Sequence, residues 1–207
     1  MTTAIGRLEV AAEGSRRATV TRTTRETDVT VSLDLDGSGV AEISTGVGFY
    51  DHLLGSLAHH ALFDLTIRAT GDLEVDDHHT VEDVALVLGS ALAEALGDRA
   101  GIRRFGDATA PMDESVATAV VDVGGRPYAV VDLPFRGEKA GELTLQLVEH
   151  ALEAFARTSG TTLHVHGSGR NDHHLAEAAF KALALALRAA VEPDPRRRGV
   201  PSTKGPT

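Results

Sequence analysis

The chain has 207 residues, 42% of them hydrophobic, which is enough for one good-sized domain or two small units sharing a core. Twenty basic against thirty acidic residues give a net charge of −10, which argues against nucleic-acid or anionic-membrane partners, so an anionic ligand has to be held locally. The absence of cysteine excludes disulfides, zinc–thiolate sites and thiol nucleophiles. Because no segment approaches about 18 uninterrupted apolar residues and no leader-like stretch stands at the N-terminus, a soluble cytoplasmic protein is expected.

In chain order, residues 1 to 15 show no sustained period and are expected to form a flexible arm. Residues 16 to 23 and 28 to 35 read as two strands, the second carrying Val29, Val31, Leu33 and Leu35 and ending in the turn Asp36-Gly37-Ser38-Gly39. Phe49, Leu53, Leu54, Leu57, Ala58 and Ala61 recur at helical spacing and predict a helix to Leu62. Phe63 to Ala69 alternates as a strand, and Thr80 to Leu96 is a long amphipathic helix closed by Gly97.

The second half repeats this order. Ser115 to Val123 and Pro127 to Leu133 read as strands around Gly124-Gly125. A helix follows from about Leu143 to Thr158, then a strand from Thr161 to His166 and a helix from His174 to Val191. The chemistry repeats in the same register: Asp51-His52 aligns with Glu149-His150, and Asp77-His78-His79-x-x-Glu82 with Asp172-His173-His174-x-x-Glu177. The fold class expected is α+β, a tandem duplication of a strand-strand-helix-strand-helix unit, with sheets backed by helices and the units packed through them. Residues 16 to 110 form the first repeat, 111 to 192 the second, and 193 to 207 a tail; the repeats together make one compact domain.

The histidines carry the chemical argument. On a helix His78 and Glu82 are i and i+4, whereas adjacent histidines point about 100° apart, so a single ion does not easily take both members of a pair. Two ions solve this. His52, His78, His79, Glu82, His150, His173, His174 and Glu177 supply eight donors, four for each of two metals. Nitrogen and carboxylate donors without thiolate suit Mn, Fe, Co, Ni or Zn, and an octahedral ion with four protein ligands keeps positions open for substrate. Asp51 and Glu149 either orient neighbouring ligands or are solvated helix charges. His59-His60 has no counterpart in the second half and reads by itself as surface, although His60 is kept among the candidate substrate contacts. His164 and His166 share one strand face and read as strand residues.

No Gly-rich phosphate loop occurs, so phosphate binding falls to side chains: Arg104, Arg126, Lys181 and the tail Ser202-Thr203-Lys204. The tail lacks core-facing residues and is expected to stay mobile until phosphate arrives.

The motifs F-Y-D-H-L-L, D-D-H-H-T-V-E-D, R-F-G-D, G-R-P-Y, L-V-E-H, H-H-L-A-E-A-A-F-K and P-S-T-K-G, running from about Arg22 to Lys204, resemble imidazoleglycerol-phosphate dehydratases. The resemblance implies a duplicated fold like the second domain of ribosomal protein S5. It also implies a 24-subunit homo-oligomer with two manganese ions per active site, between subunits. The family's metal ligands fall on the eight residues named above, its phosphate contacts on Arg104, Arg126, Lys181, Ser202 and Lys204, and its catalytic carboxylate on Glu26, which spacing alone reads as a solvated strand charge. His52, His79, Glu82, His174 and Glu177 are expected to share the catalytic work with Glu26. Glu26, His52, His60, His78, Glu82, His173 and the phosphate residues with Thr203 are expected to contact substrate. One departure is His59, at a position usually small or polar in that family.

The activity implied is removal of water from imidazole glycerol phosphate to give imidazole acetol phosphate, in histidine biosynthesis. An imidazole that loses its N–H between two ions would push out the hydroxyl, and a diazafulvene-like intermediate would relax through an enol to the ketone. Two alternatives use the same residues: a metal-storing oligomer without catalysis, which leaves the phosphate set unexplained, and a phosphoester hydrolase, which would release inorganic phosphate.

Overall fold

A computed structural model describes residues 7–12 and 16–202. The first sheet is built from β1 (Arg7–Ala12), β2 (Arg17–Thr23), β3 (Thr27–Asp34), β4 (Ala41–Ser44) and, after helix α1 (Gly48–Ala61), β5 (Asp64–Gly71). Its order is β1-β2-β3-β5-β4, antiparallel except for the parallel pair β4 and β5. Helix α2 (His78–Leu96) lies across its inner face against β2 and β3.

The second unit has β6 (Phe105–Met112), β7 (Ser115–Asp122), β8 (Tyr128–Asp132), a short ribbon of β9 (Lys139–Ala140) and β10 (Leu143–Thr144), α3 (Gln146–Ser159), β11 (Thr162–Ser168) and α4 (Asp172–Val191). Its sheet order, β6-β7-β11-β8, with β8 parallel to β11, reproduces β2-β3-β5-β4. The duplication is therefore real, and the part the two units share has three strands before its first helix (β2, β3, β4 and β6, β7, β8) rather than the expected two, with β1 added in the first unit and the β9–β10 ribbon in the second. The strand at Ser115 matches β3, and the strand at Tyr128 matches β4. The second sheet starts at Phe105, a few residues before the position expected to open the second repeat.

Two further expectations are corrected. Part of the segment expected as an arm, residues 7 to 12, pairs antiparallel with β2 from Arg7↔Thr23 to Ala12↔Ala18. The stretch expected to open the third helix at Leu143 instead forms β10, because Leu143 and Thr144 pair with Ala140 and Lys139 and delay the helix to Gln146.

The strands alternate buried and exposed positions, with Val29, Val31 and Leu33 inward on β3 and Ala117, Ala119 and Val121 on β7. The helices lie between the sheets. Their pairing crosses the repeats: α1 packs on α4, and α2 on α3. At the second crossing Gly89 brings the backbones together, since a Cβ there would stand 2.5 Å from the Phe155 carbonyl oxygen. Tyr50, Leu54 and Leu57 of α1 meet Leu88, Leu152, Phe155, Phe180 and Leu183 of the other three helices around one small apolar void. Burial pushes the Tyr50 phenol well above its ordinary pKa, so it stays neutral and faces the Val81 carbonyl at 3.4 Å.

The described part of the tail is docked. Asp194 N donates to the Gly101 carbonyl, Gly101 N to the Gly199 carbonyl, and Arg104 Nη1 to the Pro201 carbonyl at 2.7 Å. These contacts are all to backbone groups, in a stretch with few core-facing side chains. Thr203 and Lys204 lie outside the described residues.

Candidate metal and active site

The crossed helix pairs create two equivalent donor clusters. His52 of α1 meets His173 and Glu177 of α4, and His150 of α3 meets His78 and Glu82 of α2; within each trio the donor atoms lie within 4.8 Å of one another. Each cluster thus combines one repeat's lone histidine with the other repeat's His-x-x-x-Glu pair.

In the first cluster Glu177 Oε1 is 3.0 Å from His173 Nε2 and 3.3 Å from His52 Nε2, and Phe49 packs on the His173 ring at 4.5 Å. Glu177 is buried and its other oxygen accepts from Lys181 Nζ at 2.8 Å. Burial, the largest influence, pushes this carboxyl up, but the hydrogen bonds from Lys181 and His52 bring it down to about 2. The second cluster places Glu82 Oε1 3.4 Å from His150 Nε2 and Oε2 3.8 Å from His78 Nε2, with Arg157 donating to Oε1 at 3.0 Å. His150 Nε2 is shut off from solvent and makes no hydrogen bond. A buried imidazole lone pair without a donor, beside an anionic oxygen, fits a cation between them.

The remaining histidine of each pair turns away, as helical geometry requires. The His78 and His79 rings stand at 82°, and so do those of His173 and His174. His79 Nδ1 is 3.1 Å from both Asp72 carboxylate oxygens, and His174 Nδ1 is 2.8 Å from Glu114 Oε2. The Asp72 hydrogen bond raises the His79 pKa, and the Glu114 bond raises that of His174. Glu26, exposed in the turn between β2 and β3, places Oε2 3.9 Å from His79 Nε2. In the equivalent turn of the second unit Asp113 Oδ2 is 4.0 Å from His174 Nε2. Sequence reasoning missed Asp72, Asp113 and Glu114; the repeat held a clue, since the turn carrying Glu26 has the Asp113-Glu114 turn as its copy.

Among the described residues the hydrogen bonds of Asp51 and Glu149 run to the segments before their helices rather than to a donor histidine. Asp51 accepts from Thr45 N and Oγ1, and Glu149 from Leu133 N at 3.4 Å, so each pins the segment entering its helix. Asp77 and Asp172 likewise hold backbone amides, of Thr144 and of Arg136 and Gly137.

The residues read as phosphate contacts fall into two places. Arg104, held in a left-handed conformation (φ 76°), forms a bidentate pair with Asp122 at 2.7 and 2.9 Å and lines a notch with Gly97, Gly124 and Ser202. Arg126 Nη2 is 3.7 Å from the same Asp122. Lys181 instead sits at the first cluster, its Nζ also 3.2 Å from Met112 Sδ. Strand β6 separates the two: at ~3.3 Å per residue, Arg104 and Met112 are roughly 25 Å apart, far beyond one phosphate. His60, half-buried in the last turn of α1, has its pKa lowered by burial first and then by His59 and Lys181, which puts it on the Lys181 side.

These crossed His/His/Glu trios can be set beside known proteins. The family model described as imidazoleglycerol-phosphate dehydratase matches residues 45–187. The chain belongs to that family. Curated dehydratases of that name from Granulibacter bethesdensis and Acidiphilium cryptum are 55% and 54% identical over 193 residues, covering 92% of this chain and 98% of theirs. Solved structures agree. The Staphylococcus aureus dehydratase superposes with a TM-score of 0.77 at 36% identity, over 85% of this chain and 98% of its own. The Pyrococcus furiosus protein, solved in complex with (S)-C348, gives 0.78 at 38%, over 90% and 99%. Membership of this family makes the chain a hydro-lyase.

Proposed function

We propose that the chain removes water from imidazole glycerol phosphate to form imidazole acetol phosphate, at a site holding two manganese ions and completed between copies of the chain. The observation that carries this reading is the pair of crossed trios, each a three-donor set with a fourth histidine turned outward. His52, His173 and Glu177 would hold one ion, and His78, Glu82 and His150 the other, with His79 and His174 offered to ions of neighbouring copies.

Two facts support an oligomeric site. The fourth histidines face away from their own clusters, and Lys181 is too far from Arg104 and Arg126 to share a phosphate within one chain. A 24-subunit homo-oligomer is the assembly we propose. We place the enzyme in the cytoplasm, as befits a biosynthetic step; among the described residues no helix is long and apolar enough to cross a membrane.

When bound, the ions supply Lewis acidity to the substrate's imidazole ring. The protein's residues do the rest. Arg104 and Arg126 grip phosphate oxygens, Lys181 adds a point charge, and Ser202 offers a hydroxyl. The hydroxyl beside the ring leaves as water with the proton given up by the ring N–H, and the enol O–H proton later restores that N–H. Glu26 takes the C–H proton from the next carbon and returns it to the ring-side carbon as the enol becomes the ketone, working as base and then as acid. Glu177, kept anionic by Lys181, holds the first cluster's charge without competing for that proton.

The test is ketone formation from imidazole glycerol phosphate by the purified protein, after chelation and after manganese is restored. Activity that disappears and returns without release of inorganic phosphate supports the reading. Bound metal without turnover, or phosphate release, would overturn it.

A further inference from the structure

The two outward histidines are held alike by acids from unlike places. Asp72 follows the last residue of β5, while Glu114 lies in the turn between β6 and β7. By strand register the position equivalent to Asp72 after β11 is Arg170, a base that cannot take the place of the acid. Duplication copies positions, so the same contact made from two different positions has to be accounted for by what the contact does. We propose that Asp72 and Glu114 are positioning residues: each fixes its histidine with the proton on Nδ1, leaving the Nε2 lone pair free as a metal donor. This rests on the reading above, that His79 and His174 are ligands.

The chemistry follows from the donor inventory. An ionised carboxylate only accepts, and a neutral imidazole has one N–H, so an acid at Nδ1 places that hydrogen there and bares Nε2. Both acids meet the condition: His79 Nδ1 sits 3.1 Å from each Asp72 oxygen and His174 Nδ1 2.8 Å from Glu114 Oε2. Glu114 Oε1 also accepts from Asn171 N at 2.8 Å and Arg170 N at 3.2 Å, tying the same carboxylate to the start of α4 that carries His174. Among the described residues Asp72 has no such second backbone anchor, which makes it the cleaner site to test. Losing an orienting partner of this kind typically weakens metal binding about 10- to 100-fold.

The experiment titrates full-length wild type, Asp72→Ala, Asp72→Asn and His79→Ala with Mn(II) alone, following free ion by electron paramagnetic resonance. Side-chain ¹⁵N spectra of the metal-free proteins report the tautomer of His79. We expect His79→Ala to lose affinity and Asp72→Ala to weaken it about 10- to 100-fold. Asp72→Asn, which keeps an accepting oxygen, should recover part of the loss, and His79 should shift from the Nδ1–H form to a mixture only in Asp72→Ala. Unfolding midpoints of the metal-free variants should match wild type. Weakened binding in His79→Ala with unchanged binding in Asp72→Ala would overturn the role of Asp72 while sparing the ligand assignment. Unchanged binding in His79→Ala would remove the assignment and the proposal together.

Discussion

Glu26 is an exposed carboxylate in a tight turn, and nothing in its neighbours in sequence distinguishes it from a solvated charge. Its proximity to His79 does, which on the proposed reading puts it where substrate would meet metal. Replacing it by Gln should lower kcat by about 10²- to 10⁴-fold while metal content and substrate affinity hold; a near-normal kcat would remove Glu26 from the reaction. Asp64 is a different kind of carboxylate, one that holds a loop. It accepts from Ser38 N at 2.7 Å and Val40 N at 2.9 Å, and the Ser38 bond is the chief reason its pKa is lowered. A depressed folded pKa gives stability that is present above the unfolded value and is lost as pH falls through the folded one. The protection of the Ser38 and Val40 amides, as exchange relative to the intrinsic rate at each pH, should therefore persist at the ordinary Asp pKa and fall only below it. Protection already lost above that value would contradict the assignment.

At the level of elements, the helices were legible because each has an apolar face at the helical period, and β3, β5, β7 and β11 because they alternate. The strands that escaped were β1, β4, β6 and the short ribbon β9–β10, and for β4 and β6 the physical reason is plain. Ile43 is the sole large apolar residue of β4. Strand β6 carries Gly106 and Pro111 and lies at a sheet edge, where a proline needs no ladder partner on its outer side. The crossing of α2 on α3 yields a sharp prediction. An alanine in place of a helical glycine ordinarily stabilises by about 1 kcal/mol, but at Gly89 the added methyl meets the Phe155 carbonyl. Gly89→Ala should destabilise by about 1–3 kcal/mol in denaturant unfolding; a stabilised variant would mean the helices can separate freely.

For the whole molecule, the crossed pairing makes each donor cluster depend on both repeats. His52→Ala should empty one cluster and His150→Ala the other, each halving the manganese bound per chain; complete loss from either single change would show that the ions bind as one unit. The separation of Arg104 from Lys181 predicts complementation. If Arg104→Ala and Lys181→Ala are each inactive, mixing equal amounts through dissociation and reassembly should restore about a quarter of the sites, since independent assortment leaves that share with both residues intact. No recovery would confine the phosphate contacts to one chain.

The linear chain determined the duplication, the helical positions of the histidines and glutamates, and the repeat of Asp-His-His-x-x-Glu, because these depend on periodicity and register alone. Family motifs pointed to Glu26 where periodicity did not. Only the tertiary structure decided which donors meet, since the pairing of α1 with α4 and α2 with α3 is a packing outcome with no signature in local spacing. It also decided that the second histidines are held by Asp72 and Glu114, contacts that join a helix start to a strand end or a distant hairpin. Spacing along a chain specifies direction on one helix; which helices and turns lie against each other is set by how the two apolar faces close on a common core.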